Sequence, residues 1–131
     1  MTTWTSDEIE KIAAADELQL ASARHDGTLR RPVTIWVVRH DDDLYVRSVF
    51  GRTSSWFRGV QDRHEGHVRA GGVDKDVLFV ETGDDVNDAV DADYRTKYRH
   101  YSATSVDPMV SAEARAATLK LVPRPAGSGS A

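Results

Sequence analysis

Hydroxyl residues and arginines are concentrated in residues 45–59, YVRSVFGRTSSWFRG. A run of three hydroxyl residues, 53–55, stands where an aromatic helix is predicted to begin. The first amides of a helix have no partner within the helix, and the helix dipole adds partial positive charge there. Arg47 from the preceding strand and Arg52 from the turn add the donors that a phosphate prefers. The segment therefore predicts a site for an anionic group.

The same segment has a plainer interpretation. Thr53 is a good N-cap for the helix, and the arginines would then lie in solvent or pair with the many aspartates of the chain. Arg47 favours a ligand, because it lies mid-strand beside Tyr45 and Val46, where a charge is costly unless it is paired or bound. Both interpretations stay open at this point.

The composition indicates one small domain. A chain of 131 residues that is 40% hydrophobic can bury one core, so we assign residues 1–123 to a single domain and 124–131, RPAGSGSA, to a disordered tail. The formal net charge of −4 and the pI of about 5.7 argue against nucleic acid as a partner. The chain lacks cysteine, so any redox chemistry must come from a bound cofactor.

The sequence also predicts a cytoplasmic protein without a membrane partner. No apolar run approaches the roughly 18 residues of a membrane span, and the N-terminus is acidic and amphipathic, unlike a signal peptide. No histidine or carboxylate cluster has metal-ligand spacing, and no hydrolytic triad is indicated. We therefore assign neither a metal site nor a catalytic residue.

The apolar pattern predicts elements in the order αβββαββαβ. Thr5 and Glu8 have the spacing of a capping box ahead of the first helix. Gly71 and Gly72 can both adopt the positive φ of a tight hairpin turn, and Ser111 is placed to cap one further turn. The predicted helices are 6–16, 54–64 and 85–101, and the predicted strands are 18–23, 33–39, 44–49, 67–70, 73–81 and 119–122. Such an order predicts an α+β domain built on a small antiparallel six-stranded barrel with flanking helices.

Two motifs accompany this element order. GTLRRP, at 27–32, leads into the second strand, and WFRGV, at 56–60, opens the second helix. Order and motifs resemble the flavin- and deazaflavin-binding split-barrel superfamily, which includes pyridoxamine-phosphate-oxidase-like proteins and deazaflavin-dependent nitroreductases. The deazaflavin-dependent enzymes have the similar segments G-x-x-R-x-x-P and Trp-Tyr-x-Asn-Leu. More narrowly, the chain from Trp4 to Arg124 looks like the domain-of-unknown-function 2255 group.

The resemblance implies a split barrel that pairs as a homodimer, with a ring-bearing cofactor in the groove between the subunits. The implied cofactor is FMN or a deazaflavin of the coenzyme F-420 type. The implied reaction is hydride transfer to a small planar acceptor such as a quinone, enone or nitro compound. The implied cofactor-binding residues are Arg30, Arg31, Arg47, Ser48, Arg52, Thr53, Ser54, Ser55 and Trp56.

Two alternatives stay open, because Gly59 and Val60 replace the Asn-Leu pair of the family motif. One is a non-catalytic module that binds a flavin, heme or another planar ligand. The other is a cofactor-free barrel enzyme of the lyase or isomerase class. Binding with turnover, binding without turnover and no binding of a flavin or deazaflavin distinguish the three hypotheses.

Overall fold

The computed structural model describes residues 4–124, and their backbone forms a seven-stranded antiparallel sheet rolled into a nearly closed barrel. The strands are β1 (Leu18–Ser22), β2 (Val33–Ile35), β3 (Val37–His40), β4 (Asp43–Arg47), β5 (Glu65–Ala70), β6 (Val73–Glu81) and β7 (Thr118–Pro123). Their order across the sheet is β2-β1-β5-β6-β7-β4-β3. The outermost strands, β2 and β3, are separated in the chain by Trp36 alone. The sheet therefore closes through one continuous segment.

Trp36 is the residue at which the six-strand prediction was wrong. The sequence predicts one strand over 33–39, but β2 pairs with β1 whereas β3 pairs with β4. A segment that leaves one neighbouring strand for another must bend, and its hydrogen-bond ladder is interrupted at the bend. The α+β class and the split-barrel-like architecture are confirmed, with seven strands in place of six.

Five helices of the described chain flank the barrel: α1 (Ser6–Ala14), α2 (Ser55–Arg63), α3 (Asn87–Lys97), α4 (Ala103–Val106) and α5 (Ala112–Arg115). The predicted capping box opens α1. The Glu8 backbone N–H donates to the Thr5 hydroxyl at 3.1 Å, and the Glu8 carboxylate accepts from the Thr5 backbone N–H at 3.0 Å. Ser111 caps α5, as predicted, by accepting a hydrogen bond from the backbone N–H of Ala114.

The long helix predicted over 85–101 is shorter than expected. A 3-10 turn at Asp84–Val86 precedes α3, which ends at Lys97. Val90 and Tyr94 of α3, and Tyr98 directly after it, are fully buried against the outer face of β3 and β4. The tyrosine stripe is therefore mainly core packing, and it makes a second apolar layer outside the barrel.

The barrel interior holds the main core, to which β1, β4, β7 and α2 contribute Leu20, Val46, Leu119 and Phe57. The hairpin between β5 and β6 turns at Gly71 and Gly72 with φ values of 57° and 85°, as predicted. A Cβ at position 71 would lie 2.2 Å from the Lys11 carbonyl oxygen, so this turn requires glycine for space as well.

The tail predicted over 124–131 lies outside the described residues, except for Arg124. The backbone N–H of Arg124 donates to the Asp76 carbonyl at 2.9 Å. Between residues 4 and 124, no helix combines the length and the apolar character that crossing a membrane requires.

Candidate functional site

A cavity of about 240 Å³ lies where β2 passes into β3. The residues that follow β4, the first turn of α2 and the segment after α3 complete its walls. The lining residues are Thr34, Ile35, Trp36, Arg47, Val49, Trp56, Ser105 and Met109. Mostly apolar walls with a few polar groups are typical of small-molecule sites. Another groove of the described chain is more polar: it is lined by Arg30, which pairs with Asp62, and by Arg58 and Ser55.

The Trp36 ring, which forms one wall of the cavity, stacks on the Tyr98 ring. The two ring centroids are 3.9 Å apart and the ring planes are inclined by 4°. The Tyr98 hydroxyl accepts from the Val37 backbone N–H at 3.2 Å and donates to the Asp16 carbonyl at 2.6 Å. The Tyr94 hydroxyl donates to the Trp36 carbonyl at 3.4 Å. Burial raises the pKa values of the Tyr94 and Tyr98 hydroxyls above the ordinary value for tyrosine. Both tyrosines therefore stay neutral and fix the wall, and neither hydroxyl proton is free for a ligand.

The N-terminus of α2 lacks a side-chain cap. Ser54 occupies the N-cap position but makes no capping hydrogen bond, and its hydroxyl lies 2.6 Å from the Ser48 hydroxyl. The prediction that Thr53 is the N-cap was wrong, because Gly51–Thr53 forms a 3-10 turn and the cap falls one residue later. Trp56, in the first turn, lines the cavity. The first turn of α2, whose backbone N–H groups have no side-chain cap, therefore contributes to the cavity wall through Trp56.

Arg47 has a different environment from the one that a phosphate ligand needs. It is 1% exposed, and its guanidinium contacts protein acceptors throughout. Nε donates to the Thr118 hydroxyl at 2.9 Å, Nη1 to the Met109 carbonyl at 3.0 Å and to the Asp91 carboxylate, and Nη2 to the carbonyl and side-chain oxygens of Asn87, both at 3.2 Å. A guanidinium has five N–H donors, and these acceptors use all of them. Arg47 thus fastens α3 to β4.

The other predicted arginines lie outside the cavity. Arg30 donates to the Ala23 carbonyl at 2.8 Å and to Asp62 at 2.6 Å. Arg52 donates to the Glu81 carboxylate at 2.7 Å, and this hydrogen bond lowers the pKa of Glu81 from its ordinary value. Arg31 is exposed. Most of the positive charge predicted for the site is therefore neutralised or lies away from the cavity.

Of the residues predicted from sequence, Arg47 and Trp56 line the cavity. None of the predicted hydroxyl residues is among the lining residues, although Ser48 and Ser55 are chain neighbours of the lining residues Arg47 and Trp56. Ser55 also lines a separate groove together with Arg30. Sequence reasoning missed the other six lining residues: Thr34, Ile35, Trp36, Val49, Ser105 and Met109. Trp36 carried a signal, as a large aromatic residue in the middle of a β-branched run. Ser105 and Met109 carried none, because they follow α3 in short helical turns without a periodic pattern.

Among residues 4–124, no three or more histidine, aspartate or glutamate side chains are arranged to hold a metal ion. His67 lies between two carboxylates of the neighbouring strand, 2.7 Å from Asp76 through Nδ1 and in contact with Asp74 through Nε2. Burial lowers the pKa of His67, but the hydrogen bonds to Asp76 and Asp74 outweigh burial and raise the pKa above its ordinary value. An imidazole that contacts two carboxylates through its two ring nitrogens accounts for the environment of His67.

Residues 8–121 match the sequence profile of a family described as "Uncharacterized protein conserved in bacteria (DUF2255)". The chain belongs to the DUF2255 family. The match covers most of the barrel, from α1 into β7, and includes every residue that lines the cavity. A search of curated protein sequences found no match to this DUF2255 chain.

Solved structures share the fold of this DUF2255 protein. The heme storage protein HutZ from Vibrio cholerae has a TM-score of 0.61 and 14% identity over 92% of this chain and 90% of its own. An FAD-binding protein from Mesorhizobium loti has a TM-score of 0.54 and 17% identity over 94% and 92%. An F420 reductase has a TM-score of 0.53 and 17% identity over 88% and 90%. The DUF2255 chain therefore has the split-barrel fold.

Proposed function

We propose that the protein binds a flavin or deazaflavin in the aromatic cavity and reduces a small planar acceptor such as a quinone, enone or nitro compound. The cavity carries the proposal, because two tryptophans and three aliphatic or thioether side chains enclose a space beside an uncapped helix N-terminus. The fold is also that of an F420 reductase and of an FAD-binding protein, which supports a ring-bearing cofactor.

The lining residues suit a planar ring. Trp36 is fixed by Tyr98, so its face is already positioned, and aromatic rings favour stacked or edge contacts with one another. A bound flavin or deazaflavin would supply hydride transfer, which the side chains of a cysteine-free protein do not. The protein's own part is to bind the ring, orient its reactive face and exclude water.

At the phosphate end, the donors that fit are hydroxyls and backbone amides. We propose that Ser48, Thr53, Ser54 and Ser55 hold the phosphate together with the first N–H groups of α2. Arg47 is not included, because all its donors are used within the protein. Arg31 is the better candidate for the far end of a longer cofactor tail, since Arg30 is paired with Asp62.

Titration with FMN and riboflavin tests both ends of this site, because riboflavin has the same ring and no phosphate. We expect FMN to bind, its visible absorbance to bleach with dithionite, and a quinone to restore it. The double variant Ser54→Ala with Ser55→Ala is expected to weaken FMN binding by about 10-fold, because a charged phosphate forms stronger hydrogen bonds than a neutral group does. Riboflavin binding is expected to stay unchanged. Titration calorimetry measures both affinities.

The same titration separates the alternatives. Binding without reoxidation by quinone, enone or nitro compounds would indicate a non-catalytic binding module. Failure of FMN, riboflavin and a deazaflavin to bind would contradict the proposal. If the double variant loses the same affinity for FMN and for riboflavin, the serines do not bind the phosphate.

We further propose that a second copy of the chain completes the site. The cavity of about 240 Å³ is smaller than the roughly 300–1,000 Å³ of typical ligand pockets, so one subunit encloses only part of a flavin ring. Phe50 follows the cavity residue Val49 and is 73% exposed, the largest exposed fraction among the large hydrophobic residues of the described chain. An exposed aromatic residue at a cavity edge is typical of an interface.

Phe50→Glu is therefore expected to convert a dimer into a monomer, because a charge replaces an aromatic residue that anchors the interface. FMN binding is expected to weaken by about 10-fold or more. Analytical ultracentrifugation measures the oligomeric state. Val80→Glu is the matched control: Val80 is 39% exposed on β6, which lies three strands from both β2 and β3. A wild-type monomer, or a dimeric Phe50→Glu variant, would contradict this proposal.

A further inference from the structure

Thr34 presents a hydroxyl to the cavity that a neighbouring side chain has already oriented. Thr34 lies on β2 and lines the cavity, and Gln19 lies directly opposite it on β1. The Gln19 side-chain amide, through Nε2, donates to the Thr34 hydroxyl oxygen at 2.8 Å. The hydroxyl therefore serves as an acceptor on the Gln19 side.

This arrangement leaves the hydroxyl proton of Thr34 unused. A threonine hydroxyl has one proton and two lone pairs, and Gln19 occupies a lone pair. Within residues 4–124, no protein acceptor takes the proton. Hydrogen bonds in a chain polarise one another, so a hydroxyl that accepts from an amide is a better donor.

The other polar groups of the cavity are also donors or are already used. Ser105 adds a second hydroxyl, and Trp36 and Trp56 each carry an indole N–H. The backbone carbonyls of Trp36 and Met109 already accept hydrogen bonds, from Tyr94 and Arg47. No carboxylate is among the lining residues. The lining side chains thus offer several donors and no carboxylate acceptor.

We propose that Thr34, positioned by Gln19, donates a hydrogen bond to the acceptor-bearing edge of a planar ring in the cavity. The inference deepens the proposed function, on which it rests, by assigning the ligand class. Thr34 is exposed, so the cavity takes rings that carry carbonyl, nitro or ring-nitrogen acceptors at the edge that faces its opening, and it discriminates against rings without them. Thr34 contacts the ligand, whereas Gln19 is a positioning residue.

Menadione and methylnaphthalene form the probe pair, because methylnaphthalene keeps the fused rings and the methyl group and lacks both carbonyls. Menadione cannot alkylate a protein thiol here, since the chain has no cysteine. NMR spectra of the indole N–H groups report binding. The Trp36 and Trp56 signals are expected to shift, whereas the Trp4 signal is an internal control, because its N–H donates to the Leu121 carbonyl at 2.9 Å.

Thr34→Val keeps the shape of the side chain and removes the hydroxyl. We expect this variant to weaken menadione binding by about 5-fold, which is the effect of losing one neutral hydrogen bond. The affinity for methylnaphthalene should stay unchanged. Gln19→Glu keeps the hydroxyl but replaces the amide donor with an acceptor, which turns the Thr34 proton away from the ligand. Gln19→Glu is therefore expected to weaken menadione binding by the same factor as Thr34→Val. Thr96→Val, at an exposed position on α3, is the control and should change neither affinity.

Equal menadione affinities in the wild type, Thr34→Val and Gln19→Glu would overturn the inference, as would menadione that shifts neither cavity indole. Equal losses for menadione and methylnaphthalene would also overturn it, because they would indicate a change of cavity shape. If FMN fails to bind while menadione depends on Thr34, the flavin proposal fails and the inference stands. If FMN binds and the menadione affinity does not change in Thr34→Val, only the inference fails.

Discussion

Arg47→Met is expected to lower the free energy of unfolding by about 3–5 kcal/mol. Methionine occupies part of the arginine's volume but donates no hydrogen bond. Its introduction would leave the Asp91 carboxylate without its main partner and would leave acceptors on Thr118, Asn87 and Met109 unpaired in a buried region. Urea unfolding of the variant and the wild type measures the difference.

Arg31→Met is the matched control for Arg47→Met. Arg31 is exposed, so the same change there should alter the free energy of unfolding by no more than about 0.5 kcal/mol. The double variant Arg47→Met with Asp91→Leu should regain part of the loss, because no buried charge then lacks a partner. If Arg47→Met unfolds like Arg31→Met, the guanidinium is not structural, and a ligand role for Arg47 would be restored.

Val49→Trp is expected to weaken FMN or deazaflavin binding by about 100-fold or more while the fold is kept, a change of about 2.7 kcal/mol in binding free energy. Val49 is half-buried and lines the cavity, so an indole at this position would occupy the space in which we place the ring. Quenching of flavin fluorescence measures the affinity, and urea unfolding shows whether the fold is retained.

The matched control is Val80→Trp, on the outer face of β6 and away from the cavity lining. It adds the same volume and should leave flavin affinity unchanged. A Val49→Trp variant that binds flavin as tightly as Val80→Trp would show that the ring lies elsewhere. Loss of binding in both variants would point to a general effect of added surface tryptophan and would likewise contradict the assigned location.

Features encoded by neighbouring residues were predictable from the sequence. The capping box of Thr5 and Glu8, the turn at Gly71 and Gly72 and the Ser111 cap each depend on residues within four positions of one another. The bend at Trp36 was not predictable, because residues 33–38 are β-branched apart from Trp36 itself, and only the two different partner strands reveal the break.

The role of Arg47 shows the same limit at the site. The cost of a charge in mid-strand correctly indicated that Arg47 needs a partner. The sequence does not show which one, because Asp91 is 44 residues away on another element. A phosphate and a distant aspartate satisfy the same requirement. The cavity wall formed by Ser105 and Met109 was hidden for a related reason, since only the packing of α3 brings that segment to β2.

The position of β7 constrains how the molecule assembles during synthesis. It is the last of the described strands in chain order, yet it lies between β6 and β4 in the sheet. A nascent chain that has not yet produced β7 holds two separate sets of paired strands, each with an open edge that has unsatisfied backbone groups. The register of Leu44 with Leu121 joins residues far apart in the chain, and such non-local pairing slows folding. The sheet therefore cannot be completed until Thr118–Pro123 has been synthesised, and chaperone access to the open edges of β4 and β6 before that point should influence the yield of native protein.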